Sequence, residues 1–406
     1  MSGGRLRALL RRDVLTICLV IFMADTVTGI LSPTFSLYAE DLGASLTMIG
    51  ALSSVVGLTQ FITSMPIGVL SDRYGRRVVV ALGMVEFALA TALFALAPNA
   101  YFLFPGRVLF GVALVSTFSI GTAYVGDVVS REEQGIAFGL YTTAMGLGFG
   151  VGPLVGAAVA VGFGIAASYG VASALALVGA GVALKGLRPV RPAQTGSLTR
   201  RAGFTWGAVG PLLRNPHLVA GNLASLLMSA SFSAITNFFP IYAAESHASQ
   251  AAINSMFSAR SFGSALARLP SGTITSRLPS RWVMFAALLI ETVVVAGMAQ
   301  TNALVLLGVL LVIEGIAFGI FLPSGQALII EQSTAETRGQ IIGIYSTAGS
   351  LGSMVGPLAF GVIAEVFGVA AVFRVTSGLI LLGLLVIGCL YVRKRPAPGV
   401  RVTGVG

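Results

Sequence analysis

The sequence predicts an all-α membrane protein of twelve transmembrane helices in two pseudo-symmetric six-helix bundles. Three observations carry that prediction. Composition is the first: 55% of the 406 residues are hydrophobic and 10% are charged, too little polar surface to cover a water-soluble globule of this length. The second is a repeat, because residues 139–157 (GLYTTAMGLGFGVGPLVGA) and 343–361 (GIYSTAGSLGSMVGPLAFG) agree at ten of their first sixteen positions with an offset of 204. The same gapless offset carries Gly68 onto Gly272, Arg73 onto Arg277, Arg77 onto Arg281, Gly135 onto Gly339 and Phe163-Gly164 onto Phe367-Gly368; Phe35, Tyr38 and Ala39 fall on Phe239, Tyr242 and Ala243. So long a period excludes a solenoid, and duplicated hydrophobic units are the build of transporters. The third observation is run length. Breaks at charged or Gly/Pro/Asn-rich points leave apolar runs at 14–37, 47–70, 78–97, 101–126, 134–161, 166–187, 217–241, 250–274, 282–300, 303–329, 338–365 and 369–392. Each suits a hydrocarbon core, which needs about 20 residues, and none shows the alternation of a membrane barrel strand.

Span 1 follows Arg5, Arg7, Arg11 and Arg12, an arrangement that a cleaved signal peptide shares. It is expected to be retained, because it runs to Leu37, contains Asp25, lacks an A-x-A-like site and aligns with span 7. The net charge of +10 is explained by topology rather than by nucleic acid. Arg73, Arg76 and Arg77 lie between spans 2 and 3, Arg131 between 4 and 5, and Arg277 and Arg281 between 8 and 9. Arg338 precedes span 11, and Arg393, Lys394, Arg395 and Arg401 end the chain, whereas the loops AEDLGAS, APNA, AESHAS and AQTNA contain no Lys or Arg. This is the positive-inside pattern, with both termini cytoplasmic in a plasma membrane. Residues 188–215 are the one long polar interruption and divide the chain into bundles at 1–187 and 216–406; within the linker Phe204, Trp206, Val209, Leu212 and Leu213 could form a short interfacial segment. Cys18 and Cys389 lie inside spans, so neither a disulfide framework nor a metal site is implied, and no phosphate loop is present.

Between spans 2 and 3 the chain reads Gly68-Val69-Leu70-Ser71-Asp72-Arg73-Tyr74-Gly75-Arg76-Arg77. Gly68 would let span 2 approach a neighbour, Asp72 can pair with a cation or a helix N-terminus, and Gly75 makes the turn. This G-x-x-x-D-R-x-G-R-R pattern resembles the signature of the major facilitator superfamily, and the twelve-span duplication extends the resemblance over the whole chain. The second copy keeps Gly272, Arg277 and Arg281 but has Ser276 for the Asp and Pro279 for the Gly, so a weaker gate is expected there. Asp127 and Glu331, equivalent under the offset, resemble the acids that lock such loops when the cytoplasmic side is closed; each precedes a charged turn, the second ending at Arg338.

Span 5 carries Gly139, Gly148, Gly152, Pro153 and Gly156, which resembles the family's antiporter motif except that Ala157 stands for its last glycine. Glycines every fourth residue bare one helix face for a close backbone, and Pro153 permits a bend, as suits a helix that changes partners. Gly343, Gly352, Gly356 and Pro357 repeat the pattern in span 11, so duplication alone could preserve it.

Ionisable groups inside spans default to a functional reading. Asp25, about eleven residues into span 1, forms a polar face with Thr28, Gly29 and Ser32; its repeat equivalent Ser229 lies on a stripe with Ser225, Ser233 and Asn237. Arg107 resembles the family's span-4 arginine, associated with proton coupling, and Asp25 is its expected partner because spans 1 and 4 line the cavity in that fold. Glu314 in span 10 could be faced by Arg260 or Arg268, while Glu86 and Glu291, on peripheral spans, are expected to be structural or to snorkel. Tyr141 and Tyr345 are expected along the cytoplasmic side of the cavity, and Phe232, Phe238, Phe239, Tyr242, Phe318 and Phe321 offer rings for an apolar substrate.

The reading is a monomeric, proton-coupled exporter of a small amphipathic organic molecule, with the proton as coupling ion and no other cofactor. Asp25, Arg107 and Glu314 are the coupling candidates. An importing symporter or uniporter for a sugar or organic acid would instead require a cavity rich in hydrogen-bonding pairs without an aromatic patch. A transport-inactive scaffold or sensor would have lost Asp25 and Arg107 or gained a soluble domain.

Overall fold

The computed structural model describes residues 12–130, 133–190, 215–333 and 337–393; the interfacial segment expected at Phe204–Leu213 lies outside them. All twelve expected spans are helices. Eleven are long and apolar enough to cross a membrane, and the chain is a multi-pass membrane protein. Gln250–Arg277, span 8, has the length but is the most polar, with Asn254, Ser258, Arg260, Ser261, Ser264 and Arg268 along it.

Span 1 departs from the continuous run expected. It is helical over Arg12–Leu31, breaks at Ser32-Pro33-Thr34, and resumes as Phe35–Asp41. Pro33 has no N–H to continue the ladder. Span 4 has a comparable irregularity, a π-turn at Val115–Ser119 between Leu103–Leu114 and Ile120–Val128.

Duplication is visible in local chemistry as well as in topology. Ser45 caps span 2 by accepting from the Met48 N–H at 3.2 Å, and its equivalent Ser249 caps span 8 by accepting from Ala252, also at 3.2 Å. Tyr38 donates to the Phe94 carbonyl at 2.9 Å, as Tyr242 does to that of Thr301 at 3.0 Å. Gly164 and Gly368, at φ of +84° and +82°, end spans 5 and 11 where a side chain would be strained.

Within each half the glycine-rich helix lies against the first helix of that half. A Cβ on Gly152 would stand 2.5 Å from the Thr26 carbonyl oxygen and 2.6 Å from the Gly29 Cα, while Gly356 meets Ala230 of span 7 at 3.4 Å. The bared face is therefore present, but its seam lies inside each bundle rather than between bundles. In this state the motif of span 5 packs against span 1 of its own half. Gly152→Ala must push spans 1 and 5 apart, so we expect a loss of about 1–3 kcal/mol, read as a lowered thermal unfolding midpoint in detergent, with Gly162→Ala, in open space, as the unchanged control.

The two halves touch through spans 2 and 11 and through spans 5 and 8. On the face away from the termini they interlock. A Cβ on Gly57 would lie 3.0 Å from the Met354 Cα and one on Gly361 2.7 Å from the Leu46 carbonyl; Ser54 Oγ accepts from the Leu358 N–H at 3.0 Å, and Glu365 from that of Thr47 at 3.1 Å. Toward the termini the same helices separate, since Gly68, Gly139 and Gly343 have nothing within 4 Å of where a Cβ would stand. The protein is thus closed on the face opposite the termini. Gly68 makes no close contact in this state, contrary to the packing role expected of it.

Candidate substrate and proton site

A cavity of about 250 Å³ lies between the halves and is lined from spans 1, 4, 5 and 7. Its polar groups are Asp25, Thr28, Ser32, Arg107, Thr236 and Asn237, and its rings are Phe35, Phe110, Phe149 and Phe232. Asp25 reaches it from mid-span 1, where Gly148 leaves room: a Cβ on Gly148 would be 3.1 Å from the Asp25 Cβ. Thr28 donates to Asp25 Oδ1 at 2.7 Å. Asn237 closes the upper end by accepting from Ser53 of span 2 at 2.5 Å, and its amide donates to the Ser233 carbonyl at 2.7 Å.

Arg107 is not paired with Asp25, which corrects the expected ion pair. Its guanidinium lies 3.3 Å from the centroid of the Phe35 ring, flanked by Phe94 and Phe110. Both side chains are more than nine-tenths buried, and Nε of Arg107 has no hydrogen-bond partner among the described residues. Ring faces partly replace water for the cation. The break at Pro33 is what brings Phe35 beneath it. Asp25 instead feels the charge of Arg268 on span 8, in the other half. That cross-half interaction was absent from the sequence reading.

Several expected lining residues lie elsewhere. Tyr141 is 2% exposed and donates to the Phe118 carbonyl at 2.8 Å; Tyr345 packs its hydroxyl on Gly325. Both hold helices together and do not line the cavity. Ser229 faces Gly349 of span 11. Of the aromatic stripe, Phe232 alone reaches the cavity; Phe318 stacks behind it with centroids 4.9 Å apart, Tyr242 binds the 301–302 turn, and Phe238, Phe239 and Phe321 are core. Phe110, Phe149 and Thr236 were missed, having no polar periodicity to mark them.

Arg260 and Glu314 do meet, as a bidentate pair in which Nη2 donates to Oε1 at 2.7 Å and Nε to Oε2. Both act electrostatically on Glu291, which is 0% exposed and accepts from Ser231 at 2.5 Å. Snorkelling is thereby overturned for Glu291.

At the termini face Arg76 joins Asp72 at 2.9 Å and Asp127 at 3.2 Å, and also bonds Ser71, while Arg77 donates to the Leu184 carbonyl. Gly75, at φ +94°, makes the turn, and Arg73 lies over Tyr74. These bonds stitch spans 2, 3, 4 and 6 of one half while the termini face is open, so the Arg76–Asp127 pair does not wait for closure. Among the described residues, the acid of the second copy is held by a hydroxyl rather than by a guanidinium. Glu331 accepts from Ser280, the equivalent of Arg76, at 2.5 Å; Arg281 lies against Trp282 and Arg277 is exposed. The Arg338 side chain is outside the described residues. Asp72→Asn weakens a partly exposed pair that contributes roughly 0.2–1 kcal/mol, so we expect slowed transport at matched expression with an almost unchanged unfolding midpoint, and a smaller transport loss in Ser280→Ala. Equal rates in wild type and Asp72→Asn would remove the loop from the transport cycle.

The profile of the Major Facilitator Superfamily matches residues 17–246 and 221–405. The chain belongs to this superfamily. It is 24% identical over 381 residues to the multidrug resistance protein MdtG of Escherichia coli, covering 91% of this chain and 92% of that one. An uncharacterised MFS-type transporter of Methanocaldococcus jannaschii is 20% identical over 386 residues, covering 91% and 97%. Among solved structures, the nucleoside transporter NupG superimposes with a TM-score of 0.79 at 17% identity, over 93% of this chain and 98% of that one. A bacterial homologue of the human lysosomal transporter Spinster, inward-facing and occupied, does so with 0.78 at 14%, over 98% and 100%. These likenesses establish the fold; the cavity chemistry is this chain's own.

Proposed function

We propose that this superfamily transporter is a proton-coupled exporter of a small amphipathic organic molecule, metabolite or drug-like, working in a plasma membrane with both termini in the cytoplasm. The observation that carries this reading is a cavity between the halves that combines four phenylalanine rings with Asp25, an acid that has no salt-bridge partner within its own half among the described residues. Rings on this scale support an amphipathic substrate over a sugar, and retention of Asp25 and Arg107 argues against an inactive scaffold. Likeness to MdtG supports outward transport, and the Lys/Arg-free loops support the orientation. One chain builds the whole cavity, so a monomer suffices.

Coupling follows from what covers Asp25. With Asp25 ionised and the cavity empty, its attraction to Arg268 draws span 8 toward the first half, where it packs on span 5, and keeps the cytoplasmic side open. A substrate that donates a hydrogen bond to Asp25 covers the charge and releases span 8. The halves then rock and the substrate leaves outside, where a proton takes its place and permits the return. Halves that exchange only when Asp25 is covered, by substrate or by proton, carry out antiport from one differential contact. Reconstituted protein, tested with a panel of amphipathic solutes under an imposed pH gradient, examines this: solute accumulation that follows the gradient supports it, and accumulation indifferent to the gradient overturns it.

A further inference from the structure

We propose that the C-terminal half contains a second proton-binding site at Glu291, beside the pair in which Glu314 already neutralises the single guanidinium of Arg260. The site is distinct from Asp25 and lies behind the cavity wall; the two are linked through Arg268 of span 8, on which both Asp25 and Arg260 act. Glu291 and Glu314 are 0% exposed and Arg260 is 3% exposed. Arg260 gives Nε and Nη2 to the two oxygens of Glu314, so one positive charge is matched by one carboxylate. Glu291 has only the Ser231 hydroxyl on one oxygen, and its Oε2 is buried without a hydrogen-bond partner among the described residues. The charged groups acting on Glu291 are Glu314 of span 10 and Arg260 of span 8; span 7 contributes Ser231, and span 12 adds no acid or base to it among the described residues. A second carboxylate here would be an uncompensated charge in the bilayer interior, which costs far more than a neutral carboxyl. The low-energy form therefore holds a proton on Glu291, while Glu314 stays paired with Arg260.

The duplication shows that packing does not require these acids. Under the 204 offset Glu291 and Glu314 correspond to Phe87 and Phe110. Those rings meet edge-to-face in the first half, with centroids 5.2 Å apart. One architecture is thus filled by two phenylalanines in one half and by two glutamates and an arginine in the other. The cluster also reaches the cavity. Arg260 lies 5.0 Å from the centroid of Phe232, which lines it, and Ser231, bound to Glu291, is the preceding residue of span 7. Loss of the Glu291 proton would set a second carboxylate against Arg260 and draw Phe232 with it.

Infrared difference spectra of the purified full chain in lipid, recorded between acid and alkaline buffer, test this without a substrate. The expected result is a protonated-carboxyl band that bleaches on alkalinisation, is lost in Glu291→Gln and persists in Asp25→Asn. Ser231→Ala removes the hydrogen bond to Glu291 and should shift the same band, which keeps the test decisive if Glu291→Gln does not fold. A Glu291→Gln spectrum matching wild type, a band that Ser231→Ala leaves in place, or one that never titrates would overturn the proposal. Because Asp25→Asn retains the band, the outcome is separate from the coupling scheme at Asp25.

Discussion

Asp25→Asn is expected to abolish accumulation of substrate against its gradient, leaving equal concentrations on the two sides of the membrane, while downhill movement survives. Asparagine keeps the shape and still accepts the 2.7 Å hydrogen bond from Thr28, so the cavity and the fold should persist. What is lost is the charge that Arg268 feels and the group that exchanges a proton. The variant is permanently covered, in the terms above, and its halves should exchange whether or not substrate is bound. Transport assays at matched expression, with an unfolding midpoint measured in parallel, check this. Uphill transport with unaltered pH dependence in Asp25→Asn would move the coupling to another acid.

The largest stability effect is expected at Glu314. Glu314→Ala leaves the guanidinium of Arg260, 3% exposed, without its acid in the middle of span 8. Removing one partner of a buried pair typically costs about 3–5 kcal/mol, whereas replacing both by apolar groups of similar volume is often neutral. The single variant should lower the unfolding midpoint in detergent sharply, and Arg260→Met with Glu314→Leu should regain most of it. A Glu314→Ala protein as stable as wild type would mean that Arg260 finds another counter-charge, such as Glu291.

Much of the architecture was legible in the sequence because it depends on quantities that do not require knowing how helices face one another. Run length, charge placement and a gapless repeat are one-dimensional, and they sufficed for span number and for the bare helix faces at Gly152 and Gly356, but not for the helices that cover them. The site was less legible because partners depend on helix rotation. Asp25 and Arg107 share a cavity as expected, yet a prolyl break at Pro33 turns Phe35 under Arg107, and the charge that Asp25 feels comes from the other half. Tyr141 and Tyr345 are repeat equivalents, which marked them as important without saying whether they face a cavity or a neighbour. Glu291 had a readable signal that went unused: its repeat equivalent, Phe87, is an aromatic core residue, so a glutamate there is exceptional.

The most direct test of the account is proton movement coupled to substrate efflux. Proteoliposomes preloaded with a transported solute, with a pH indicator inside and no imposed pH gradient, should acidify internally as solute leaves through wild-type protein. With Asp25→Asn the solute should leave without acidification. Internal alkalinisation on efflux would mean that proton and solute travel together, and solute efflux through wild type with no change in pH would mean that no proton is exchanged; either result would contradict the account.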